Sequence, residues 1–74
     1  MFNADYDEII SIIYSINDEM NRIVKVQKSL SEKRVNITDI EISNKINAQI
    51  NDLQNAIDNL YMCSSNIMKA LYEK

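Results

Sequence analysis

LSEKRVNITDIEISNKI, residues 30–46, decides how this chain folds. Glu32 to Asp39 is the most polar stretch at the midpoint, and apolar periodicity runs away from it in both directions. Toward the N-terminus, Leu30, Ile23, Met20, Ile16, Ile13, Ile9, Tyr6 and Phe2 step by three and four, with one gap at Gln27. Toward the C-terminus, Ile46, Ile50, Leu53, Ile57, Leu60, Ile67 and Leu71 do the same, with a gap at Ser64. A repeat of seven is the signature of a helix that keeps one narrow seam against a neighbour. Ile42, Ile46 and Ile50 make two successive steps of four, so the register shifts near the turn.

Composition agrees with two long helices. The 74 residues include no Gly and no Pro, against ordinary usage of about 7% and about 5%. Nothing therefore breaks a helix or takes positive φ without strain. No Asn-Gly or Asp-Gly pair supplies a tight strand turn, and no apolar alternation of period two is sustained. Thr38 and Glu41 have the spacing of a capping box, and Asp5 with Glu8 repeats it more weakly at the first helix. Asp5, Asp7 and Glu8 early and Lys28, Lys33 and Arg34 late complement the macrodipole of the first helix. The expected fold is a single all-α domain over residues 1–74: helix 1 at about 4–34, a turn at about 35–37 and helix 2 at about 38–72.

So short a turn forces an antiparallel, coiled-coil-like hairpin. Matching the seams across residue 36 sets Leu30 beside Ile46, Ile23 beside Leu53, Met20 beside Ile57, Ile16 beside Leu60, Ile9 beside Ile67 and Tyr6 beside Leu71. Gln27 then faces Ile50, and Ser64 faces Ile13. Polar residues at seam positions lower stability; they either fix register or oligomer state or are tolerated near a solvated edge.

One hairpin does not use all the apolar surface. Ile10, Ile12, Val24 and Val26 flank the first seam; Ile40, Ile42, Ala56, Tyr61, Cys63 and Met68 flank the second. At about 25 cal/mol per Å² of buried apolar area, leaving these in water forfeits several kcal/mol. The expectation is a four-helix bundle completed by dimerisation or by another helical protein, with Ile10, Val24, Ile42, Tyr61 and Met68 at the partner interface.

Chemistry finds little to work with. There is no His, and the single Cys63 has neither a base nor a second thiol, so no catalytic, cofactor or metal site is expected. One Cys also excludes an internal disulfide, which points to a reducing compartment. Asp18 with Glu19 and Asp5 with Asp7 lack the oxygen-rich loop of a calcium site. Asn36, Ile37 and Thr38 match a glycosylation acceptor, but no export signal of basic-then-apolar form stands at the N-terminus. No apolar run approaches the roughly 18 residues of a membrane span, so the expected location is the cytoplasm.

Charge is unevenly placed. Residues 1–21 carry five acids and no base, whereas Arg22, Lys25, Lys28, Lys33 and Arg34 stand against the single acid Glu32 in residues 22–34. This basic tip would offer contact with an anionic partner, but the net charge of −3 and the absence of interleaved aromatics argue against nucleic acid. No small-molecule substrate is implied.

The antiparallel two-helix plan, small size and acidic charge resemble the small helical proteins of type VII secretion, the WXG100-like substrates and the helical partners of larger toxins. The likeness covers the whole chain as architecture. Where that family carries Trp-x-Gly at the turn, this chain has Lys33, Arg34, Val35 and Asn36. Tyr14 and Asp18 share the Tyr-x-x-x-Asp spacing of the family's export signal, but within helix 1 rather than after helix 2. No functional residue carries over. The resemblance implies a targeting or chaperone-like partner that pairs with another helical hairpin, and export by a non-classical route. The functional expectation is a non-enzymatic interaction module or adaptor; the alternatives are a small inhibitor that occupies the groove of an enzyme or receptor as a helix, or nucleic-acid contact through the basic turn end at Arg22, Lys25 and Lys28.

Overall fold

A computed structural model of the protein describes residues 4–72, as two helices. α1 spans Ala4–Val35 and α2 spans Ile40–Tyr72, joined by residues 36–39, and the two lie antiparallel against each other as a hairpin. No strand occurs among the described residues. The molecule is a rod of 59 × 15 × 10 Å with a radius of gyration of 17.2 Å. A compact domain of this length would have a radius of about 11 Å. Little interior is available in such a shape.

The seam positions read from the sequence are the ones that the partner helix covers. Ile9, Ile13, Ile16, Met20, Ile23, Gln27 and Leu30 on α1 are buried or half-buried, as are Ile46, Ile50, Leu53, Ile57, Leu60, Ser64, Ile67 and Leu71 on α2. The seven-residue repeat persists along both helices, which imposes a left-handed supercoil. Register is fixed by Gln27, whose Nε2 donates to the carbonyl of Ile50 at 3.2 Å. Counting along from that pair brings Ile13 level with Ser64. These are the two most buried residues described, 8% and 2% exposed.

The turn closes without a left-handed residue. Asn36 N donates to Lys33 O at 3.2 Å and Ile37 N to Arg34 O at 3.1 Å, so α1 tightens over its last turn. No described residue has positive φ, which suits a chain without Gly.

Two expectations are corrected here. The cap of α2 is Asp39 and not Thr38: Asp39 Oδ1 accepts from Glu41 N at 2.9 Å and Ile42 N at 3.3 Å, and the first helical bond runs from Ser43 N to Asp39 O. One carboxylate serves two orphan amides and carries the charge that a helix N-terminus favours, so it outcompetes the neighbouring hydroxyl. Asp5 and Glu8 lie inside α1, already helical at Ala4, and so do not begin it. Tyr6 is 49% exposed, more than any other seam residue described on α1. Phe2 lies outside the described residues.

Candidate helix-docking surfaces

The surface has two flanks, one on each side of the seam. Heptad spacing puts Ile10, Asn17 and Val24 on one flank of α1 and Ile12, Glu19 and Val26 on the other. Because α2 runs the opposite way, its Asn47, Gln54, Tyr61 and Met68 border the first flank, and Ile42, Gln49, Ala56, Cys63 and Ala70 border the second. Contacts across the seam agree with this assignment. Gln27 and Arg34 reach Gln54 and Asn47 on the first flank. On the second flank, one shallow hollow is lined by Ile12, Cys63, Ile67 and Ala70 together with Asn59 and Asn66, among others. Another is lined by Val26, Leu30, Gln49 and Leu53.

The two flanks differ in chemistry although both are rich in apolar residues. The first is tied across the seam by polar side chains. Gln27 Nε2 donates to Gln54 Oε1 at 3.2 Å, Gln54 Nε2 passes a bond on to Asp58 Oδ1 at 3.0 Å, and Arg34 donates to Asn47 Oδ1. The second flank carries hollows instead. The largest measures about 690 Å³, and a further one is lined by Glu19, Arg22, Ile23, Val26 and Leu53. Small side chains at Cys63 and Ala70 line the hollow of about 690 Å³.

The five residues expected at a partner interface do not share one side. Val24, Ile42, Tyr61 and Met68 are exposed and Ile10 is half-buried. Ile42 lies on the second flank, whereas the other four lie on the first. A sequence read for apolar residues near a seam does not separate the two flanks; heptad position does. Ile12, Cys63 and Ala70 are outside that set, although they line one hollow.

The basic residues occupy the part of α1 next to the turn. Between Arg22 and Arg34 the helix rises roughly 18 Å at 1.5 Å per residue, about a third of the rod. Arg22 pairs with Glu19 at 3.1 Å on the same helix, and Arg34 is turned inward to Asn47. Lys25, Lys28 and Lys33 are exposed. The ion pair of Lys45 with Glu41, 3.9 Å apart, is likewise within one helix and exposed, where such pairs contribute little.

For chemistry the described residues offer no cluster of three or more His, Cys, Asp or Glu side chains able to hold a metal ion. Cys63 is an exposed free thiol. No helix among them is long and apolar enough to cross a membrane. No family model matches the chain, and neither a curated protein nor a solved structure shows significant similarity to it.

Proposed function

We propose that the protein is a non-enzymatic interaction module that works by packing its hairpin against other helices, first of all those of a second copy, to complete a four-helix bundle. The observation that carries this reading is the apolar surface that the hairpin leaves in water. Twelve large apolar or aromatic side chains are exposed among the described residues, while Ile13 is the one apolar side chain that is buried. Two helices in contact cover one stripe each, and the flanking residues here widen the apolar face beyond that stripe. A bundle of four covers both a seam and a flank on every helix.

Symmetric self-association is the commonest route to such a bundle, because one patch then serves both copies. The test is the mass of the native chain in sedimentation equilibrium at micromolar concentration. The expected value is twice the chain mass of 8.6 kDa. A species that stays at the single-chain mass up to high concentration would sink self-association and leave a different helical protein as the occupant.

A further inference from the structure

We propose that the second copy docks on the flank carrying Ile12, Val26, Ile42 and Cys63, about a two-fold axis perpendicular to the rod, so that α1 lies antiparallel to α1 and α2 antiparallel to α2. This inference rests on the self-association reading above and adds the face and the orientation.

Area favours an interface of this extent. The chain exposes 5866 Å², whereas a compact monomer of its mass exposes about 4,700 Å². The surplus, roughly 1,200 Å², exceeds the about 800 Å² that each partner contributes to a standard interface. The first flank is poorly suited to accept it, because the bonds of Gln54 and Asn47 to Gln27 and Arg34 stand along its turn half and would have to be desolvated. The second flank offers hollows in which aliphatic and small side chains are mixed with Asn59, Asn66, Gln49 and Asp52, and among the described residues none of these four is bonded across the seam in the way that Gln27 and Arg34 are.

Heptad positions choose the orientation. A perpendicular two-fold passing at the level of Ala56 and Glu19 sets Ile12 opposite Val26 of the second copy and Ile42 opposite its Ala70, with Ala56 meeting Ala56. It also sets Asp5 opposite Lys33 and Gln49 opposite Cys63, and it brings Glu19 against Glu19 at the axis. With the axis along the rod instead, Ile12 meets Cys63, Val26 meets Gln49, Ile42 meets Lys33 and Glu19 meets Ala56, so that most pairs set an apolar group against a polar one. Charge selects the same arrangement. Residues 22–53, the turn half, carry six basic and four acidic side chains, while residues 1–21 and 54–74 together carry two basic and seven acidic. The perpendicular axis lays the positive half on the negative half; the other lays like on like.

The test compares single lysines on the two flanks and cross-links at two levels. Val26→Lys is expected to weaken the dimer at least tenfold in sedimentation equilibrium, with helicity by circular dichroism retained, while Val24→Lys leaves the dimer constant within about twofold. In a Cys63→Ser background, Ala56→Cys is expected to give a disulfide-linked dimer on mild oxidation and Asn36→Cys to give none, because the two turns lie at opposite ends of the bundle. A native dimer that Val24→Lys dissociates and Val26→Lys does not overturns the face and leaves self-association standing. Cross-linking through position 36 and not 56 overturns the orientation. A native chain that is monomeric removes both the inference and the reading beneath it.

Discussion

Ser64 is the most buried residue described, at 2% exposure, yet its hydroxyl has no hydrogen-bond partner among the described residues. Its small side chain lets the helices approach at the level of Ile13, and the oxygen is the cost of that choice. Ser64→Ala keeps the shape and removes the orphan group, so stability should rise by up to about 1 kcal/mol. In thermal melting that amounts to a gain of several degrees, about 4–8 °C per kcal/mol for a chain of this size. A lower melting temperature would show that the hydroxyl is bonded in solution. At the other end of α2, Asp39→Ala should cost about 1 kcal/mol as the cap is lost. Thr38→Ala should change the melt by far less, and equal losses for the two would return the cap to Thr38.

Between the helices, Gln27 is the element that holds register. A seam position filled by Leu would bury more apolar area, but its contact would be equally good one heptad along. A glutamine that must find the Ile50 carbonyl and the Gln54 amide is satisfied at one setting. Gln27→Ala with Gln54→Ala forms a double-mutant cycle, for which we expect a coupling of about 0.5–1 kcal/mol in chemical denaturation. Strict additivity would mean that the two amides are bonded to water instead. The same two helices show which features were legible beforehand: Gln27 opposite Ile50 follows from the seams and the short turn alone. The 49% exposure of Tyr6 is not legible in this way, because the spacing of a repeat says which face a residue takes and not how much of a large side chain the opposite helix covers.

For the whole molecule, the rod shape decides the energetics. A hairpin with a radius of gyration of 17.2 Å has almost no interior, and the proposed self-association would couple its stability to concentration. The melting temperature should rise with protein concentration over a hundredfold range. A constant value would mark a self-sufficient hairpin. Because the proposed dimer sets the basic half against the acidic half, added salt should weaken it, and Glu19→Gln, which relieves the like charges near the two-fold axis, should tighten it. Insensitivity of the dimer constant to both would count against the perpendicular axis.

The sequence by itself determined the two helices, their antiparallel return and the level at which Gln27 meets Ile50. These follow from a repeat of seven, a chain with no Gly or Pro and a turn too short for anything else, all of which are properties of local spacing. Tertiary structure alone decided that Asp39 and not Thr38 caps α2, since both stand at workable spacings and the path of the turn chooses between them. It also decided that the flanks are unequal. Ile10 and Val24 look as apolar as Ile12 and Val26 in one dimension, and what separates them is the reach of Gln27 and Arg34 across the seam to one side only among the described residues.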